Sequence, residues 1–163
     1  VLGVLVMPIL NVCGHVLVAE SENGCFGRTL EEDARWHQCT VRPLGSERIL
    51  CTSWQSSHTR PEILDKVLQY TASTSFRVDS QVKYGLVAMG VADGYLRATR
   101  RDRKECIWDH AAGDIIVCEA GGIVTDESGK ELHYGVDRLN CGAIIASATK
   151  EYHIEVKASI ELF

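Results

Sequence analysis

Residues 107–122 read IWDHAAGDIIVCEAGG. Asp109 stands between a Trp and a run whose apolar positions, Ala112, Ile115, Ile116 and Ala120, recur at helical spacing. Gly121-Gly122 ends that helix, because glycine accepts the left-handed conformation that closes a helix C-terminus. Asp109 therefore has two readings. In one it is a simple N-cap, its carboxylate taking up the free N–H groups of the first turn. In the other, the small residues Ala111, Ala112 and Gly113 let a phosphate, or a metal–phosphate pair, approach the positive end of the helix beside Asp109.

Outward from this stretch the chain alternates strands and helices. Val1–Met7 is apolar and β-branched and stops at Pro8. Val16–Glu20 and Cys25–Arg28 flank Asn23-Gly24, a hairpin signal. Residues 29–45 are polar and irregular and read as a loop. Arg48–Ser53 is a strand, and Pro61 opens the helix PEILDKVLQYTA. Phe76–Val78 is a brief strand, and Asp79-Ser80 precedes a short helix ended by Gly90. Asp93–Ala98 is a strand. After the opening stretch come Ile123–Thr125, the turn Asp126–Lys130, the buried strand Ala143–Ala146, and a terminal helix capped by Thr149 and running towards Phe163. The pattern is α/β or α+β.

Composition is that of an ordinary globular chain: 163 residues, 45% hydrophobic and 24% charged. A net charge of -5 argues against a nucleic-acid polymer or a membrane surface as partner. The basic run Arg97–Lys104 is short and reads alone as a solvated loop. Seven Cys, with no C-x-x-C pair, point away from a zinc ribbon and towards buried thiols in a reducing, cytoplasmic compartment. Val1 opens directly in a strand, so the chain reads as the continuation of a longer protein.

Trp108-Asp109-His110-Ala111-Ala112-Gly113, followed by Glu119-Ala120-Gly121-Gly122 and Ile123-Val124-Thr125-Asp126, resembles the C-terminal signature of the inositol monophosphatase superfamily of Mg-dependent, lithium-sensitive phosphatases. Asp79-Ser80-Gln81-Val82-Lys83-Tyr84 and Asp93-Gly94-Tyr95-Leu96-Arg97 are similar to its 3'(2'),5'-bisphosphate nucleotidase branch. The resemblance spans essentially the whole chain and is strongest from Asp79 to Asp126. It implies a layered α/β sandwich of the sugar-phosphatase type, of which this chain is the C-terminal part. Residues 1–45 would be the last strands of an N-terminal α+β domain, and 46–163 a C-terminal α/β domain.

The resemblance also implies roles. Asp109 would be a ligand of a multi-Mg site, and Lys83 and Arg97 would hold the non-reacting phosphate of a bisphosphate nucleotide. Ser80 and His58 would contact nucleotide or phosphate. Each has a plainer rival: Ser80 as a helix cap, His58 as an exposed loop residue, Lys83 and Arg97 as surface charges. Glu105 reads as a loop charge, and Cys106 and Cys118 as packing residues. The implied activity is removal of the 3'-phosphate of adenosine 3',5'-bisphosphate, a small-molecule substrate. An inositol phosphate as substrate, or a non-catalytic domain that binds nucleotide or a partner without turnover, is the alternative. The family's Asp-Pro-(Ile/Leu)-Asp-Gly-Thr motif and upstream Glu pair are absent, so the chain by itself is expected to have little or no activity. Val1–Arg28 would then carry strand edges that favour association, and the oligomeric state stays open.

Overall fold

The computed structural model describes residues 1–55, 58–99, 105–135, 138–139 and 142–161. Leu2–Met7 (β1), His15–Glu20 (β2), Gly24–Thr29 (β3) and His37–Cys39 (β4) form an antiparallel sheet in chain order. Arg48–Thr52 (β5), Ser73–Arg77 (β6), Gly94–Arg97 (β7), Ile123–Asp126 (β9) and Ile144–Ser147 (β11) form a second sheet in the order β6-β5-β7-β11-β9. Its first three strands are parallel, and β11 runs antiparallel to both neighbours. A two-stranded ladder joins Glu105–Cys106 (β8) to Arg138–Leu139 (β10).

Helices Val82–Ala88 (α2) and Ala111–Glu119 (α3) lie between the sheets, α3 packing on β1, β2 and β9. Helices Pro61–Thr71 (α1) and Lys150–Glu161 (α4) pack together on the other face of the second sheet. The layers therefore run sheet, helices, sheet, helices, an α/β architecture. One core joins Leu5 and Leu17 to Tyr84, Ile116 and Ile144, and a second joins Leu50 and Ile145 to Val67 and Tyr152. Ile144 and Ile145 thus feed opposite cores, as successive residues of a strand covered on both faces must. The outer face of the first sheet carries exposed Leu2, Val4, Val6, Phe26 and Trp36. Among the described residues no helix is long and apolar enough to cross a membrane.

Several local expectations hold with a mechanism. Gly121 adopts φ +93, and Gly122 N–H reaches the Val117 carbonyl at 2.9 Å, closing α3 in the manner of a Schellman turn. Thr149 Oγ1 accepts the Tyr152 N–H at 3.2 Å, capping α4. Asp126 Oδ1 gathers Ser128 N–H, Ser128 Oγ–H and Lys130 N–H, fixing the turn.

Others are corrected. The polar stretch 29–45 contains β4, missed because only Cys39 of its three residues is buried. β6 starts at Ser73, earlier than Phe76, as a largely exposed edge strand whose Ser and Thr residues carry no apolar alternation. The hairpin forms, but its positive φ angles fall on Glu22 and Gly24. The Glu119 carboxylate of α3 fixes that turn, accepting Glu22 N–H and Gly24 N–H at 2.9 Å each. Cys118 is exposed and donates to Asp114 Oδ1, so it is not a packing residue; Cys25, Cys39 and Cys51 are buried thiols. Cys141, Leu162-Phe163, Ser56-Ser57 and residues 100–104 of the basic run lie outside the described residues.

Candidate functional site

A cavity of about 520 Å³ opens where the C-terminal end of β7, the start of α2 and the turn before α3 meet the end of β1. Its lining includes His58, Ser80, Lys83, Arg97 and Asp109, together with Leu5, Val6, Gln55, Asp79, Gln81, Tyr84 and Tyr95. All five residues singled out in the sequence therefore face one space, although they come from four separate segments of the chain.

Local geometry prepares each of them. Ser80 adopts φ +61, and this left-handed residue turns the chain so that the carbonyls of Val78 and Ser80 receive the Lys83 ammonium at 3.1 and 2.7 Å. Ser80 Oγ accepts Val82 N–H at 3.4 Å, a long contact to the first turn of α2. Lys83 is buried and is not a surface charge; its Nζ stands 5.2 Å from the centre of the Tyr95 ring. Burial lowers its pKa to about 8, against the pull of Asp79. Arg97 is also buried, its Nη2 2.7 Å from Glu105 Oε2. Burial opposes the Arg97 charge, but the Glu105 hydrogen bond overrides it and raises the pKa. Arg97 Nε is buried without a hydrogen-bond partner.

Glu105, expected as a loop charge, is buried at 3% exposure. It misled because it follows an unbroken run of charged residues, RDRK. Its Oε2 also lies 3.6 Å from His110 Nε2. Burial would raise its pKa, but the nearby His110 ring and the Arg97 guanidinium win and hold it down at about 2. His110 Nδ1 pairs with the Tyr84 hydroxyl at 2.8 Å, and Tyr84 meets Tyr95 edge to face. Tyr84 and Tyr95 stand inside the motifs of the resemblance but were given no site role, because a buried aromatic at helical or strand spacing reads as core.

Asp109 is not the cap of α3. It ends a 3-10 turn, Ile107–Asp109; His110 occupies the cap position and no side chain caps there from within the helix. The Asp109 carboxylate is exposed at the cavity wall. Nor does Gly113 serve close approach of a ligand: a Cβ there would fall 2.3 Å from Tyr84 Cδ2. The small residue exists so that α3 can lie against the Tyr84 ring of α2.

A hard carboxylate such as Asp109 suits one corner of a magnesium site. Among the described residues no group of three or more His, Cys, Asp or Glu could hold a metal ion. The residues present therefore fit part of such a site, not the whole of it.

The Lys83 geometry makes a pH prediction. Its folded pKa lies below the unfolded value of 10.5, so between about pH 8 and 10 the unfolded chain binds more protons and stability rises with pH. Buried thiols such as Cys51, held up at about 12, act in the opposite sense above about pH 9. The measure is thus the difference from Lys83→Met in urea melts. Wild type should gain about 1 kcal/mol per pH unit on the variant above about pH 8. A constant difference would show that Lys83 keeps an ordinary pKa.

The sheet–helix–sheet–helix order, with the buried cations Lys83 and Arg97 and the exposed carboxylate of Asp109 lining one cavity, defines a layered α/β class of protein. The chain belongs to the Inositol monophosphatase family, whose profile matches residues 1–161. It is 64% identical over 146 residues to a 3'(2'),5'-bisphosphate nucleotidase of Dictyostelium discoideum, covering 78% of this chain and 44% of that protein. A 3'(2'),5'-bisphosphate nucleotidase of Schizosaccharomyces pombe is 34% identical over 149 residues, covering 86% and 42%. The fold matches that of CysQ from Bacteroides thetaiotaomicron, a bacterial member of the inositol monophosphatase family, at TM-score 0.69 and 24% identity over 92% of this chain and 59% of that one. The chain thus spans less than half the length of these curated relatives.

Proposed function

We propose that the protein removes the 3'-phosphate of adenosine 3',5'-bisphosphate with Mg2+ as cofactor, and that this chain supplies the phosphate cradle and one metal carboxylate. The observation that carries the reading is a single cavity holding two buried cations, Lys83 and Arg97, beside the exposed carboxylate of Asp109. The relatives named as bisphosphate nucleotidases support the substrate class. In the reaction, water adds to phosphorus, the P–O bond to the 3' oxygen breaks, and inorganic phosphate and adenosine 5'-phosphate leave. Arg97 and Lys83 bind the 5'-phosphate, the guanidinium fork giving direction and the ammonium charge. Ser80 and His58 complete the polar wall. Magnesium supplies charge neutralisation at the reacting phosphate when bound. Its remaining carboxylates come from outside this chain, which spans less than half the length of its curated relatives, and little or no activity is expected of the chain alone.

The test is phosphate release from adenosine 3',5'-bisphosphate with Mg2+, beside inositol 1-phosphate. It uses the protein with its upstream half, this chain alone, and Asp109→Asn in both. Release from the bisphosphate by the longer protein, lost with Asp109→Asn and absent from the chain alone, is expected. Preference for inositol 1-phosphate overturns the substrate. Asp109-dependent release by the chain alone overturns the need for carboxylates from outside it.

A further inference from the structure

The helix start that Asp109 leaves uncapped is capped from elsewhere. Gln81, half-buried at the start of α2, reaches across to α3. Its Oε1 accepts the Gly113 N–H at 2.9 Å, and its Nε2 donates to the Trp108 carbonyl at 3.1 Å. The amide orientation follows from its partners, since a backbone N–H only donates and a carbonyl only accepts. The two groups it holds lie on either side of Asp109. Trp108 is its immediate neighbour, and Gly113 carries one of the orphan donors of the first turn of α3. Between them the His110 ring is fixed against Tyr84. Gln81 itself lines the cavity into which Asp109 opens.

We infer that Gln81 is a positioning residue for Asp109. By taking over the helix cap it leaves the carboxylate without a backbone partner of its own, and by bridging Trp108 and Gly113 it fixes the turn that aims that carboxylate. Its position follows from α2 and α3 crossing at Gly113, where the missing Cβ lets the helix ends approach within side-chain reach. The inference rests on the reading of Asp109 as a metal carboxylate and adds what sets its direction. Losing a residue that orients a metal ligand typically costs about 10–100-fold in metal affinity or activity.

The experiment compares wild type, Gln81→Ala, Gln81→Glu and Asp109→Asn in the protein with its upstream half. Three readouts are taken: Mg2+ affinity by calorimetry, the Mg2+ concentration for half-maximal phosphate release, and hydrogen exchange of the peptide containing Gly113. With Gln81→Ala, Mg2+ affinity is expected to fall about tenfold or more. Half-saturation should rise to match, Gly113 should lose protection, and the melting temperature should fall by only about 2–4 °C, the cost of one lost cap. Gln81→Glu keeps the acceptor for Gly113 N–H and should restore protection and part of the affinity. Loss of protection with unchanged Mg2+ affinity overturns the inference while Asp109→Asn still abolishes turnover, and Gln81 is then only a cap. If Asp109→Asn leaves Mg2+ affinity and turnover intact, the reading of Asp109 falls and the inference falls with it.

Discussion

Replacing Glu105 by Ala will destabilise the protein by about 3–5 kcal/mol, the cost of leaving a buried charge uncompensated. The charge is Arg97, whose Nη2 sits 2.7 Å from Glu105 Oε2 in a position only 9% exposed. His110 loses its carboxylate partner in the same step. Glu105→Gln keeps the volume and isolates the electrostatic part. The pH dependence fixes the sign. The Glu105 carboxyl falls from 4.5 to about 2 on folding, so its contribution is complete above the unfolded value and is lost as pH falls through the folded one. A shift of that size corresponds to about 3 kcal/mol. The gap in urea stability between wild type and Glu105→Gln should be wide near pH 7 and close towards about pH 2. A gap that stays constant across that range would show that Glu105 acts by packing and not by charge.

Gly113→Ala carries the second large effect. In an exposed helix interior this change is favourable by about 1 kcal/mol, because alanine loses less backbone entropy. At this position the new Cβ lands 2.3 Å from Tyr84 Cδ2 and 2.4 Å from Cγ, atoms of a fully buried ring. The ring cannot retreat without breaking its contacts to Tyr95 and His110. Overpacking of this kind costs about 1–3 kcal/mol and occasionally more, so sterics defeat propensity. A net loss of about 2 kcal/mol lowers the melting temperature by roughly 4–8 °C in a chain of this length. Because Gln81 bonds the N–H of the same residue, the variant should also expose that amide to exchange. A variant as stable as wild type would mean that α2 and α3 can separate freely, contrary to the tight core between the sheets.

Local chemistry made much of the fold readable. Gly121 and Gly90 ended helices because only glycine sits easily at φ +93 and +70. Thr149 and Asp126 announced a cap and a turn because their short side chains bond their own neighbourhood. The residues of the cavity were readable through the family signature. Their burial was not, since Lys83 and Arg97 look the same in sequence whether solvated or held by carbonyls and a carboxylate.

What the amino-acid order determined by itself was most of the strands and helices and their stops, which depend on periodicity and on interactions a few residues apart; the five cavity residues came from the resemblance to the family. What only tertiary structure decided was which partner each polar group takes. Asp109 looks like a cap along the chain, yet Gln81, 28 positions earlier, fills that place. Gly113 looks like room for a ligand, yet Tyr84 occupies it. Glu105 looks like a solvated charge, yet folding encloses it with Arg97 and His110. For Asp109 and Gly113 the competing partner is distant in sequence and only the packing of α2 on α3 supplies it; for Glu105 the partners lie five and eight positions away, but on a different turn and strand, and only folding closes them on the carboxylate.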